Sequence, residues 1–567
     1  MIVESQAGPI AAEGQRAAVY RSLDELLRFW AQKRPDAVAL SGSGVADYRL
    51  RSFTFAAADA AVSRLSARLL AEGLTPGDIV AIQLPNTVEL ALVALAAMRA
   101  GLVASPAPLV WRKTELLRAF DRAPVKAAIT CSRFRAADYA RVMRRAAAAQ
   151  AEKTGDAPAM LFGFGDELPD GVISLSRTLD SDAAEPVFPV GAAPEPPGAE
   201  RPGLLSWGFD REFGPVAIPR VRQEIVAAGL APALELQLGV NDRIISPYSI
   251  ASLVGLAGAV APWLITGASL LLHIPYDHET FMQQIRTEGV TVAVAPAPVL
   301  ADLAGREGFA AGGGSLSRVL WVLPAPHSPA PAVQPFPGIT TVMLRSLREY
   351  ALATSLWSEG PDAGAIPLGA AAVAAPGSGG APLLETRIRS RVLRGLDCLP
   401  AHEGRSASGR GPVLSGELCV RGLSAPRKQD HPAAKRLKCD AEGFVCTGIP
   451  CVAGGDAQNA IVCLPEPDVA YHGGAVIDIQ ELDRIYSDFP DFLDAAAFTI
   501  ADPIMGERIF AAVVPLPGAA PPEAEFRSYL QSLEISPVKF PEKLIVVSVI
   551  PRDAQGRAVR AEILSQI

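Results

Sequence analysis

Six histidines are scattered along the chain, at 273, 278, 327, 402, 431 and 472. His273 and His278 stand five apart across Pro275, the wrong spacing for two metal ligands on one helix face. His472 is set apart by the Gly473-Gly474 pair that follows it, and imidazole is the side chain best suited to proton transfer near neutral pH. Of seven cysteines, Cys439, Cys446, Cys451 and Cys463 cluster, but without the closely spaced pairs of a zinc knuckle, so free thiols are expected. No G-x-x-x-x-G-K-[ST] and no G-x-S-x-G occurs, and Gly312-Gly313-Gly314 fits a loop. The densest basic stretch is Arg427, Lys428, Lys435, Arg436 and Lys438, interrupted by Asp430 and Pro432. It reads as a solvated loop, with a landing site for a phosphorylated ligand such as CoA as the second reading.

The elements that would position such groups follow from periodicity. Thr54 to Leu74 carries Phe55, Ala58, Val62, Leu65 and Leu69 at helical spacing and closes at Gly73 and Pro76-Gly77-Asp78. Ile79 to Leu84 is a short apolar strand, Thr87 to Ala100 a second helix, and Leu102 to Ala107 another strand. Strand, helix and strand with short links predict a parallel sheet with helical crossovers. Val319 to Leu323 and Ile339 to Leu344 read as buried strands, and the stretch from Thr386 to Arg421 as strand-rich. Val476 to Tyr486 and Glu523 to Leu533 read as helices; Ala495 to Ile500 and Ile509 to Val514 read as strands. Residues 150–203, rich in Ala, Pro and acidic side chains, read as a long excursion.

A chain of 567 residues with 49% apolar and 20% charged side chains is too long for one core and rich enough to build several. A net charge of −8 and the absence of a basic helix make nucleic acid a poor partner. Ile244 to Leu272 is one charge-free apolar run, yet Pro247, Gly255, Gly258, Pro262 and Gly267 break it into a buried helix and strand instead of a membrane span. Met1 to Arg16 has no cationic start before an apolar core, so a cytoplasmic protein is expected.

Several stretches, taken in order, resemble the acyl-CoA synthetase branch of the adenylate-forming (AMP-dependent) synthetase/ligase family. They are Gly77 to Asn86, Gly101 through Trp111-Arg112 and Glu115-Leu116, and Gly416-Glu417-Leu418-Cys419-Val420-Arg421-Gly422. They continue with Gly443-Phe444 and Thr447-Gly448, Gly473-Gly474, Asp502-Pro503 with Gly506-Glu507, and Pro551-Arg552 with Gly556 and Arg560. The resemblance implies an α/β fold of two α/β subdomains plus a β-barrel-like subdomain, spanning 15–463. A small α+β C-terminal lid domain over 464–567 would rotate upon it. Full members join a carboxylate to ATP as an acyl-adenylate, then pass the acyl group to CoA or a carrier thiol.

The resemblance also locates departures. The family's T-S-G-T-T-G-x-P-K-G phosphate loop corresponds to Leu205 to Pro215, where Ser206, Gly208 and Arg211 are the remnants and Phe209, Asp210, Glu212 and Phe213 are unsuited to phosphate. The Y-G-x-T-E motif falls in Leu344-Arg345-Ser346-Leu347-Arg348-Glu349-Tyr350, read as a surface helix end, with Glu349 and Tyr350 standing in for its carboxylate and aromatic as the second reading. The ribose-binding aspartate of T-G-D is Ile449, and the G-R-x-K-D hinge is Leu464-Pro465-Glu466-Pro467-Asp468. The terminal-loop lysine is Arg557, a planar fork in place of a compact ammonium. By the same resemblance, His472, Gly473 and Gly474 border the thioester-forming, CoA or pantetheine side.

These expectations add up to an acyl-CoA-synthetase-like protein with a degenerate ATP site. It would bind an acyl, CoA or carrier-linked ligand, an acyl carrier protein or another protein partner. ATP and Mg²⁺ are doubtful ligands, CoA or a pantetheine carrier remains open, and no metal ligand set is expected. Two alternatives stay open: a divergent AMP-forming ligase acting on a carboxylic acid, and ATP-independent acyl transfer on the same scaffold.

Overall fold

A computed structural model describes residues 21–180, 201–211, 214–296, 299, 315–328, 338–357, 365–370, 382–390, 414–427, 431, 433, 435, 437–454, 457–466, 468–502, 505–517 and 523–567. Side chains at 454 and 457–459 fall outside the description. So do the expectations placed on Gly312 to Gly314, His402, Lys428, Arg436, Glu212, Phe213, Pro467 and Pro503.

The helix expected after Thr54 runs Phe55–Ala71, and the Thr54 hydroxyl caps it by accepting from the Ala57 N–H at 3.2 Å. It leads into Ile79–Ile82, the helix Val88–Arg99 and the strand Val103–Pro106. Those two strands pair in parallel, joined by the helix as a strand–helix–strand crossover. They form the middle of a seven-stranded sheet ordered Val172–Ser174, Met160–Phe164, Val125–Cys131, Ile79–Ile82, Val103–Pro106, Pro202–Asp210 and Gly214–Val221.

The excursion expected at 150–203 therefore needs correcting over its first part. Residues 150–154 end the helix Tyr139–Thr154, and Met160–Phe164 pairs in parallel with Val125–Cys131. Its apolar run Met-Leu-Phe-Gly-Phe extends the sheet, while 181–200 lie outside the described residues. The Ala- and Pro-rich composition masked a short strand that only pairing could reveal.

An eight-stranded sheet runs Ala351–Leu356, Thr340–Leu347, Arg318–Leu323, Val292–Pro296, Arg243–Ser246, Ser269–Leu272, Val38–Ser43 and Leu50–Thr54. The apolar run from 244 holds the expected buried helix (Leu253–Thr266, with one widened π turn at Leu256–Val260) and strand Ser269–Leu272, and its start adds a strand, Arg243–Ser246, that was not expected. Among the described residues no helix is long and apolar enough to cross a membrane.

The barrel-like unit is a six-stranded antiparallel sheet ordered Ile366–Pro367, Ala457–Cys463, Val445–Gly454, Leu414–Arg421, Glu385–Ser390 and Gly369–Ala370. A five-stranded sheet follows, built from Ala475–Asp478, Val469–His472, Gly506–Pro515 and Phe492–Asp502, with Leu544–Val546 added in parallel. The helix expected from Val476 begins only at Ile479. Ala475–Asp478 is the second arm of a hairpin, and the Asp478 carboxylate caps the helix by accepting from Gln480 N–H at 3.0 Å.

Candidate functional site

Three turns and one connector meet around Arg348. The first turn is the tip of the hairpin Pro202–Asp210/Gly214–Val221. Ser206 pairs with Ile218 and Gly208 with Val216, so both lie inside a strand and not in an open loop. The Ser206 hydroxyl donates to the Ile218 carbonyl at 3.4 Å and accepts from the Arg220 guanidinium at 3.3 Å. Of the three expected remnants only Arg211 sits at the turn, and its guanidinium donates to the Asp468 carboxylate at 2.9 Å. Asp210 is ion-paired to Lys438 at 3.2 Å.

The second turn, Arg348 to Tyr350, joins two antiparallel strands in the register Leu347 to Ala351. The expected surface helix end is thus a buried β-turn. Arg348 and Glu349 both take positive φ, 53° and 66°, and Tyr350 is buried. The Glu349 carboxylate accepts from Leu253 N–H at 2.6 Å at the start of the buried helix, and burial pushes its pKa up to about 7.

Arg348 stands at the centre. Its guanidinium is ion-paired to Glu466, donates to the Tyr471 hydroxyl at 3.2 Å, and lies 6.0 Å from the centre of the Phe209 ring. Burial opposes its charge, while Tyr471 and Glu466 more than offset this and hold its pKa above the ordinary arginine value. The Tyr471 ring meets His327 edge-on at 5.6 Å, and burial lowers the His327 pKa, favouring the neutral ring. Phe209, Ala325, Val469, Tyr471 and Val476 pack as a small apolar cluster around this group.

The third turn is Thr447-Gly448-Ile449. Gly448 has φ of +76°, and a Cβ there would meet an Arg348 guanidinium nitrogen at 2.9 Å, so glycine is required by both backbone and neighbour. Gly448 N–H donates to Glu417 at 2.8 Å, and Ile449, 1% exposed, is part of the barrel core.

The connector contributes Glu466 and Asp468. Asp468 holds Arg211 on one oxygen and Arg560 on the other (3.1 Å), with Gln480 donating at 3.0 Å. Arg557 stands on a tight terminal turn and is exposed; its side chain folds back on Asp553 at 2.8 Å. Gly473 and Gly474, both with positive φ, form a two-residue hairpin turn between Val469–His472 and Ala475–Asp478, which explains the glycine pair by backbone twist alone. His472 Nδ1 lies 2.6 Å from the Glu507 carbonyl, which can only accept, so Nδ1 carries the proton and Nε2 is the basic nitrogen.

A second contact set joins the C-terminal sheet to residues 110–118. Lys539 bridges Glu115 and Glu481 at 3.0 Å each, and Arg118 reaches Glu481 at 2.5 Å. Ser536 donates to the Val110 carbonyl at 2.8 Å. The basic stretch is only partly solvated: Arg427 pairs with the buried Glu224 at 2.8 Å. Among the described residues no group of three or more His, Cys, Asp or Glu could hold a metal ion.

A family profile described as AMP-binding enzyme matches residues 27–186. The chain is 25% identical to sulfoacetate–CoA ligase of Cupriavidus necator, over 91% of this chain and 92% of that protein. It is 26% identical to salicyl-AMP ligase / salicyl-S-ArCP synthetase of Mycobacterium tuberculosis, over 98% and 93%. The chain is thus similar over nearly its whole length to a CoA ligase and an AMP ligase, and its residues 27–186 match the AMP-binding enzyme family. Its fold is that of amide bond synthetase McbA from Marinactinospora thermotolerans, with a TM-score of 0.69 at 18% identity over 96% of this chain and 99% of that one.

The chain keeps the ordered motifs of that resemblance, but the sequence did not single out Arg348, Glu466, Tyr471 or His327 as partners. Arg348 and Glu466 stand in two of the altered motif segments, far apart in sequence, and only the fold brings them together.

Proposed function

We propose that this chain is a member of that family that binds an acyl, CoA or carrier-linked ligand, or a protein partner, without ordinary ATP-dependent ligation. The observation that carries this reading is the Arg348–Glu466–Tyr471 cluster, which stands where the phosphate-loop hairpin, the 348–350 turn and Gly448 meet. A nucleotide held as the family holds it would need that place, a ribose acceptor where Ile449 is buried in the barrel, and donors where Ser206 is already engaged.

The reading takes 15–463 as the large unit and 464–567 as the small one. In it Arg557 and Arg211 are remnants, and His472 Nε2 is the group available for proton transfer on the thioester side. The decisive experiment is calorimetric titration with ATP and Mg²⁺, alongside ATP–pyrophosphate exchange over a panel of carboxylic acids. No saturable ATP affinity tighter than about 1 mM, roughly −4 kcal/mol, is expected. Micromolar binding or exchange above background would replace this reading with that of a divergent ligase.

A further inference from the structure

Two pairs of cysteines face each other across adjacent strands of the barrel-like sheet. Cys419 is directly opposite Cys446, and Cys451 is directly opposite Cys463. All four are free thiols. Only the first pair has its sulfurs in contact, with Cys419 Sγ donating to Cys446 Sγ at 3.2 Å.

The two pairs also differ in surroundings. Cys451 and Cys463 lie within the main barrel core, where burial raises both thiols, Cys463 to about 11. Cys419 and Cys446 lie on the other side of the sheet, packed with Phe444 alone. That ring is flanked by the guanidinium groups of Arg387 and Arg421, 4.1 and 4.3 Å from its centre. The sulfurs lie 3.2 Å apart, close enough for one to attack an oxidant and the other to resolve. The hydrogen bond from Cys419 lowers the Cys446 thiol below its ordinary value, which favours Cys446 as the attacking sulfur.

We propose that Cys419 and Cys446 are a redox modification site that closes to a disulfide when the chain meets a hydroperoxide. The Cys446 thiolate attacks the peroxide oxygen; the O–O bond breaks, and Cys446 becomes a sulfenic acid as water leaves. Cys419 sulfur then attacks Cys446 sulfur, the S–O bond breaks, and a second water departs with the Cys419 proton. Two thiols and one hydrogen peroxide thus give one disulfide and two waters. The sulfurs must close from 3.2 Å to about 2.05 Å, a small motion between directly opposed residues. The bond would staple the strand whose next residues, Thr447 to Ile449, form the turn beside Arg348.

The test is stepwise hydrogen peroxide on the full reduced chain, followed by alkylation of remaining thiols and peptide mass mapping. Expected is the loss of two of the seven free thiols and a cross-linked peptide joining Cys419 to Cys446 that dithiothreitol reverses. In Cys419→Ser, whose hydroxyl can still donate to Cys446 but cannot form a disulfide, Cys446 should stop at the sulfenic acid and be captured by dimedone. The proposal is overturned by linkage of Cys451 to Cys463 or through Cys439, by sulfinic acid at Cys446 without linkage, or by no thiol loss. Cross-linking of Cys446 at the parent rate in Cys419→Ser would overturn it as well.

Discussion

Arg348 and Glu466 form an ion pair with side chains only 3% and 10% exposed, joining a turn of the large sheet to the connector that precedes the C-terminal sheet. Such a pair is costly to bury, and its stability depends on both members being present. Arg348→Met leaves a buried carboxylate without its cation and is expected to destabilise the chain by about 3–5 kcal/mol, whereas Arg348→Met/Glu466→Met costs less than the single change. Urea midpoints should fall in the order parent, double variant, single variant. A single variant as stable as the double would mean that the pair is not desolvated in solution.

Asp468 holds Arg211 and Arg560 at once, and Lys539 ties Glu115 to Glu481 at a second place. Two separated contact sets fix both position and angle of the C-terminal sheet. Small-angle scattering profiles with and without CoA or a non-hydrolysable acyl-adenylate should therefore superimpose. A ligand-dependent change in the profile would show that the C-terminal sheet still turns.

Arg557 is the replacement most tempting to revert. Electrostatic help from a lysine there can be worth several kcal/mol, but only to a phosphate already in place. With Ile449 in the core and Arg348 paired to Glu466, Arg557→Lys should form no more hydroxamate from ATP, carboxylic acids and hydroxylamine than the parent. Activity gained by this one substitution would mean that ATP is bound productively despite them.

Glu235 and Glu349 are carboxyls that burial pushes from 4.5 up to about 7. Between those values the folded chain keeps protons that the unfolded chain has released, so their contribution to stability is full below 4.5 and falls as pH rises through about 7. Glu235→Gln/Glu349→Gln should melt at a higher temperature than the parent at about pH 8, with the difference shrinking towards about pH 5. Equal pH dependence in the two proteins would place these carboxyls in a wetter setting.

The ordered motifs, the parallel strand–helix–strand start and the barrel strand Leu414–Arg421 were all legible, because each is set by local periodicity or by turn residues with narrow backbone requirements. Gly473-Gly474 was visible too, though as a candidate binding feature; pairing of Val469–His472 with Ala475–Asp478 makes it a hairpin turn. The same limit moved Val476 from helix to strand and Met160 from excursion to sheet, since hydrogen bonding to a distant strand outweighs weak local preference.

The sequence by itself carried the family resemblance, the strand–helix–strand start and the chemical identity of what stands at each motif, including Ile449 and Arg557. Only the tertiary structure decided what those residues do. Arg348 meets Glu466 and Tyr471, Arg211 meets Asp468, and Cys419 meets Cys446, in each case across strands or turns remote in sequence. Charges and thiols carry no local periodicity, and their partners are chosen by which turns the sheets bring together and by how little water is left between them.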